Sequence, residues 1–275
     1  MVRPPRSVAL RGIVELLWAT TADSPPAAEE WTLPTGRIHM AFRPVGGPVA
    51  IDRRDTFSSW LVGGPRVGPH LRNTPRGARS IGVMLAPGVS DLVFGAPARV
   101  LSGAHVALSE LWGSAAAELA DRVHGCSASE ALDRVEHALV DRVAGRPPSA
   151  RHGRLVSGLE AGRPLPDVAR VLGLGERQAR SLCWDVLGLS PRDVRRVARL
   201  QRVFDDWKRA PDRGWAERAL RTGYADQAHL TREFKELTGF TPGAWRPLAG
   251  QPRHVPAETF KPGAAEPGML PARCS

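Results

Sequence analysis

Gly223-Tyr224-Ala225-Asp226-Gln227-Ala228-His229-Leu230-Thr231-Arg232-Glu233-Phe234-Lys235-Glu236-Leu237-Thr238-Gly239-Phe240-Thr241-Pro242-Gly243-Ala244-Trp245-Arg246 decides how this chain is read. It opens on a glycine turn and closes on Gly239-Phe240-Thr241-Pro242. Between them Leu230, Phe234 and Leu237 recur at four and three, the buried stripe of an amphipathic helix. Trp215–Thr222, just upstream, predicts a shorter helix. Two helices joined by a short glycine turn form a helix-turn-helix, whose second helix can lie in the major groove of DNA.

A weaker copy lies earlier in the chain. A helix over 165–172 is followed by Gly173-Leu174-Gly175, a helix over Glu176–Leu187, and Leu187-Gly188-Leu189-Ser190-Pro191. Ser190-Pro191 reads as an N-cap followed by a first-turn proline. It starts a long helix, 191–210, with Val194, Val197, Leu200, Phe204 and Trp207 on one stripe. Such a helix predicts a rigid spacer that holds two reader helices about one DNA turn apart, roughly 34 Å.

The 275 residues suffice for two domains, and 42% hydrophobic against 24% charged residues indicates a folded chain. The net charge of +10 suits a protein that meets phosphate. The basic residues are 35 Arg and 3 Lys, a skew that a GC-rich coding sequence also produces, so arginine abundance alone decides nothing. Its placement says more. Residues 1–150 carry a net +2 and residues 151–250 a net +7, so the later part is where a nucleic-acid site is sought. Cys126, Cys183 and Cys274 form no CxxC pair, which argues against a zinc ribbon and fits a reducing compartment. The apolar run from Val8 to Trp18 is interrupted by Arg11 and Glu15 and is too short to span a bilayer. The expected location is the cytoplasm.

The expected fold class is α+β in two domains. The first hundred residues place short apolar runs between Gly and Pro turns, which predicts a β-rich small barrel or sandwich. The runs are Arg37 to Phe42, Trp60 to Val62 and Ser80 to Leu85. Leu108, Leu111, Trp112, Ala115, Leu119 and Val123 then recur at helical spacing as far as Gly125. Ser127-Ala128-Ser129-Glu130 has the form of a capping box and starts a second helix. The trailing helices occupy about 108–143. Residues 1–145 read as an N-terminal unit, 146–152 as a linker, 153–248 as the helical unit and 249–275 as a disordered tail.

Residues 155–246 closely resemble the DNA-binding domain of the AraC/XylS family of bacterial transcription regulators, and the quoted stretch carries the family signature. The resemblance implies that one face of each reader helix touches bases. By motif position the second reader offers Gln227, His229, Thr231 and Arg232. Arg can pair bidentately with guanine, Gln with adenine, and Thr can meet phosphate or a thymine methyl. For His229 a surface position without a DNA contact is an equal reading. The first reader departs from the family: Ala179 is smaller than the usual apolar residue, Ser181 replaces an arginine and Cys183 an aromatic. Arg177, Gln178, Arg180 and Ser181 are its candidate contacts, and Cys183 reads as a small core residue. Arg192, Arg195, Arg196, Arg199 and Arg202 line the spacer helix. They either touch phosphate or form a solvated face paired with Asp193, Asp205 and Asp206.

The first half resembles the sensor domain of such regulators through Leu33-Pro34-x-Gly36, Gly63-Gly64-Pro65, Leu85-Ala86-Pro87-Gly88 and Leu92-Val93-Phe94-Gly95-Ala96-Pro97. Trp31, Trp60, Phe42, Phe57, Met84, His39 and His70 are candidates to line an effector pocket, and ordinary core is the competing reading for each. The implied partners are double-stranded promoter or operator DNA, RNA polymerase and a small-molecule effector, with a homodimer left open and no membrane. No cofactor or metal is expected. An enzyme is not expected either: His39 and His70 lack a third ligand at recognisable spacing, and there is no G-x-S-x-G or GxxxxGK motif. The competing function is a protein-interaction adaptor whose helix-turn-helix has degenerated.

Overall fold

The computed structural model describes residues 1–21, 29–73, 75–245 and 259–260. Arg246 and all of the expected 249–275 tail except Thr259 and Phe260 lie outside them. Eleven strands are present among the described residues: β1 (Val2–Arg3), β2 (Val14–Thr21), β3 (Glu29–Thr32), β4 (His39–Val45), β5 (Val49–Ile51), β6 (Asp55–Phe57), β7 (Leu61–Gly63), β8 (His70–Asn73), β9 (Arg79–Leu85), β10 (His105–Ala107) and β11 (Thr259–Phe260). They form two antiparallel sheets, one ordered β1-β2-β9-β4-β7-β10 and the other β11-β3-β8-β5-β6. Helix α1 (Ser90–Phe94) precedes β10. Helices α2 (Ser109–Trp112), α3 (Ser114–Val123) and α4 (Ala128–Val143) follow it.

The first sheet supports the N-terminal half. Met40 and Val62 point from its strands into a core shared with Leu119, Leu132 and Leu139 of α3 and α4. Phe42 and Trp60 stack at 5.4 Å in this same core, so neither faces the second sheet. The capping box at α4 forms as read: Glu130 N–H donates to Ser127 Oγ and Ser127 N–H donates to Glu130 Oε2. Helix 108–123, read as continuous, is broken at Gly113, which takes φ 60° and ψ −135° between α2 and α3. The run read as ending at Phe42 continues to Val45, with Pro44 inside β4. A register shift between Phe42 and Val45 absorbs it, because proline has no N–H for the ladder.

The second half is all helical: α5 (Ala150–Glu160), α6 (Leu165–Val171), α7 (Glu176–Leu187), α8 (Pro191–Arg209), α9 (Trp215–Thr222) and α10 (Gln227–Thr238). Helix α5 begins inside the expected linker, because Ser149 Oγ accepts the His152 N–H and caps it. Ser190 caps α8 in the same way, accepting Asp193 N–H at 3.1 Å.

The two halves share a core. Leu33, in the loop after β3, is 2% exposed and packs with Leu200, Phe204 and Trp245 of the helical half. Trp31 meets Phe240 edge-on at 6.2 Å, which places it at this junction and not in a barrel pocket. Gln201 Nε2 donates to Pro34 O at 2.8 Å, and Ser102 Oγ donates to Gly188 O at 2.6 Å. Gly188 ends α7 at φ +62°, and a Cβ there would stand 2.6 Å from Ala98 O. Only glycine serves both the turn and this close approach.

Between the sheets lie three histidines. His70 and His105 have ring centres 4.6 Å apart, and His39 stands 6.5 Å and 5.9 Å from them. Gly63 makes this possible, since a Cβ there would lie 2.1 Å from His39 Cε1. Burial, followed by the charges of Arg72 and Arg66, lowers His39 to about 4. Burial, then His39 and Arg66, lowers His105 to about 2, and His70 falls well below its ordinary value.

Two measurements check this packing. Leu33→Ala is expected to lower unfolding free energy by about 2–5 kcal/mol in urea titration. A change under about 0.5 kcal/mol, the size usual for a surface substitution, would show that Leu33 is not core. The histidines set an acid limb. Unfolded, they bind protons near pH 6.5; folded, they stay neutral, so stability held above that pH is lost as pH falls toward 4. Between pH 7 and 5, His39→Gln is expected to lose about 2 kcal/mol less than the native chain. Parallel acid limbs would refute the neutral, buried state of His39.

Candidate nucleic-acid interface

Each half of the helical unit presents one exposed helix after a glycine turn. In α10, Leu230, Phe234 and Leu237 are fully buried, as the stripe predicts. Asp226 caps the helix, its carboxylate accepting His229 N–H at 2.7 Å. Gln227 and Arg232 are exposed and Thr231 is half-buried. Arg232 makes no ion pair among the described residues. His229 is half-buried: its Nδ1 accepts Ala225 N–H at 3.4 Å and its ring meets Tyr224 edge-on at 5.2 Å. That places His229 at the helix start in a bracing position.

A buried carboxylate sets the pose of α10. Glu233 is 7% exposed and accepts both Arg199 Nη2 contacts at 2.8 Å and Arg196 Nε at 3.2 Å. Arg196 also reaches Glu236, and Arg199 lies over the Tyr224 ring at 5.2 Å. Two arginines of α8 thus grip one face of α10, a role that neither sequence reading gave them, while Arg196 also lies 3.5 Å from Asp193, as the paired-face reading expected. Arg202 is likewise occupied, donating to Glu160 O at 2.8 Å and Thr222 O at 3.3 Å. Arg192 and Arg195 make no ion pair among the described residues. Asp206, expected to face spacer arginines, instead pairs with Arg218, which is completely buried, and with Arg213 and Arg221. Burial works against that carboxylate, but the Arg213 and Arg218 guanidiniums hold its pKa below the usual range.

The first reader, α7, is sound despite its substitutions. Ala179 and Cys183 are fully buried in the core around Leu155 and Val168. Burial pushes the Cys183 thiol up to about 12, which leaves it inert as a nucleophile. Arg177, Gln178, Arg180 and Ser181 are all exposed. Gln178 Oε1 accepts Gly175 N–H at 3.1 Å, so its side chain already closes the start of the helix. Sequence reasoning missed Trp184, which is 45% exposed. It stands three residues past Ser181 and seven past Arg177, on the same face; that i, i+4, i+7 spacing was the available signal.

Residues 168–247 match the family described as a helix-turn-helix domain. This segment is an AraC-type helix-turn-helix domain. The chain therefore carries the DNA-binding domain of an AraC-type regulator, a family of transcription regulators and not a class of enzyme. No curated protein matches the chain. Among solved structures, ToxT from Vibrio cholerae aligns over 82% of this chain and 96% of its own at 10% identity, with a TM-score of 0.44. A crystal structure of unsaturated fatty acid bound ToxT covers 82% and 93% at 10% identity and 0.47. The AraC-like transcriptional activator CuxR covers 75% and 86% at 16% identity and 0.24. With every score below 0.5, the functional argument rests on the AraC-type domain and this chain's own geometry. No helix among the described residues is long and apolar enough to cross a membrane.

The brace on the AraC-type second reader is testable. Glu233→Ala leaves Arg196 and Arg199 half-buried without their shared partner. It is expected to cost about 3–5 kcal/mol of stability by urea unfolding. A loss below about 1 kcal/mol, the scale of an exposed ion pair, would mean that the network does not hold α10.

Proposed function

We propose that this chain is a one-component transcription regulator. In this reading residues 153–248 bind double-stranded promoter or operator DNA, and residues 1–145, joined through 146–152, control them in response to a small-molecule effector. The observation that carries the reading is the exposed face of α10. It offers Gln227, Thr231 and Arg232, which has no ion-pair partner among the described residues, on a helix braced from behind by Glu233. In α7 the corresponding contacts are Arg177, Arg180 and Ser181, with Gln178 and His229 contributing through the helix starts they brace.

Control follows from the docking. Arg99 pairs with Asp185 of α7, and Ser102 with Gly188 at its end. Leu33 and Gln201 join the β-rich half to α8. A cavity of about 270 Å³ lies between the halves, lined by Arg37, Glu160, Leu189, Val197, Gln201 and Arg202 among others. An effector that favours one docked arrangement over another changes which reader geometry is populated. RNA polymerase is the downstream partner that such a regulator recruits or blocks.

The test is binding of the full chain to its own upstream DNA against a scrambled duplex, at two salt concentrations. Preference for the upstream duplex that weakens with salt is expected. Equal or absent binding to both duplexes would favour the adaptor reading. Arg232→Ala is expected to weaken specific binding by about 1–3 kcal/mol and to relax preference at one base position. Native-like affinity and selectivity in that variant would remove Arg232 from the base-reading set.

A further inference from the structure

The space between the sheets collects buried polar atoms that no described residue satisfies. His70 Nδ1, His105 Nε2, Arg66 Nη1, Arg72 Nε and Thr32 Oγ1 are each buried without a hydrogen-bond partner among the described residues. They belong to one neighbourhood. Thr32 stands opposite His70 in the β3–β8 pair, His70 and His105 are 4.6 Å apart, and Arg66 acts electrostatically on His39, His70 and His105. His70 itself is 4% exposed. An unsatisfied buried polar group has given up its water without a replacement partner, so several together call for a structural or binding reason.

The sign of the charge selects the ligand. Arg72 is engaged by Glu30 through one nitrogen at 3.1 Å. Arg66 gives Nη2 to Gly103 O at 2.6 Å, while its Nη1 is 4.0 Å from Asp52, a carboxylate that is 40% exposed. The unsatisfied groups are thus guanidinium N–H donors, imidazole nitrogens and a hydroxyl, all in a positive field. A metal cation suits this poorly: two guanidiniums repel it, and no three His, Cys, Asp or Glu among the described residues are arranged to hold one. An oxyanion suits it well, because Arg forks and imidazole N–H groups form charge-assisted hydrogen bonds to carboxylate or phosphate oxygens.

This neighbourhood is also wired to the other half. Arg66 lies between Pro65 and Val67. Pro65 Cγ would lie 2.8 Å from a Cβ placed on Gly188, at the end of α7. Val67 packs against the cores of both helix-turn-helix units. A pull on the Arg66 side chain is therefore a pull on the segment that seats the reader domain.

We propose that Arg66, His70, Arg72 and His105 bind a small oxyanion, a carboxylate or a phosphate, and that this anion is the input the regulator reads. The control half of this proposal rests on the DNA-binding function proposed above; the binding half does not. An oxyanion draws Arg66 Nη1 and Arg72 Nε inward, satisfies the imidazole that donates to it, and shifts residues 65–67 against α7 and α8.

The experiment is calorimetric titration of the full chain, without DNA, using butyrate in one arm and inorganic phosphate in the other. Sodium chloride of matched ionic strength is the control. Saturable binding in at least one arm and none with chloride is expected, and the responding arm assigns the class. Arg66→Gln and His70→Asn, each checked for a native unfolding transition, are expected to lose tenfold or more in affinity. Exposed Lys208→Gln is expected to bind as the native chain does. Binding in neither arm, or native affinity in whichever of the two variants folds, overturns the site. DNA affinity is then measured with and without the bound anion. A change of severalfold is expected. Anion binding with unchanged DNA affinity overturns the control half alone, whereas anion binding by a chain that binds no DNA refutes the proposed function and leaves the site standing.

Discussion

Removal of Leu33 from water is the contact on which the rest of the molecule depends. The side chain belongs to the β-rich half, yet its neighbours Leu200, Phe204 and Trp245 belong to the helical half. Fully burying a leucine is worth about 1.5–3 kcal/mol. The second helix-turn-helix therefore has a core that is complete only when the first half is docked. Helix α8 is the shared wall: it carries Leu200 and Phe204 toward Leu33, Arg196 and Arg199 toward α10, and Gln201 toward Pro34. The helical half and the β-rich half are thus two lobes that meet on one helix.

The charges follow the same logic. A basic segment invites the view that every arginine is there for phosphate. Much of this one is spent inward, on Glu233 and Asp206. Breaking such a buried pair is costly because the remaining charge has no water to turn to. The inward arginines fix helix poses, whereas Arg177, Arg180 and Arg232 are exposed. Between the sheets the pattern is reversed. There single nitrogen atoms of Arg66, Arg72, His70 and His105 are buried with no partner among the described residues.

The helices of both halves were largely legible in the sequence because their signals are local. The Ser127–Glu130 box, the Ser190 cap and the 230/234/237 stripe each act within a turn or two, and all three appear as read. Ala179 and Cys183 look like departures in sequence and prove to be well-packed core, because the volume they must fill is set by neighbours far along the chain. The β-rich half was legible only in outline. β2 is the longest strand of its sheet, but Leu17, Trp18 and Ala19 are buried in succession, so its residues show no alternation. β5, β6 and β10 have three residues each, too few for any period. The Leu33-Pro34-x-Gly36 stretch carried no signal of burial: a lone leucine in a loop becomes core only through the partner that covers it. The internal grip on the spacer arginines was hidden for the same reason, since Glu233 lies 34 residues from Arg199.

The length of α8 has a consequence of its own. It runs nineteen residues without interruption from Ser190 to the turn before α9. In such a rod each added or deleted residue rotates everything beyond it by about 100° and moves it by about 1.5 Å. Small adjustments of distance alone are not available to it. Descendants of this chain that space their two readers differently must change α8 by about seven residues at a time, close to two full turns, or rebuild the face that Leu33 covers. The spacing between the two exposed helices is thus stepped rather than continuous, with the step size set by backbone geometry.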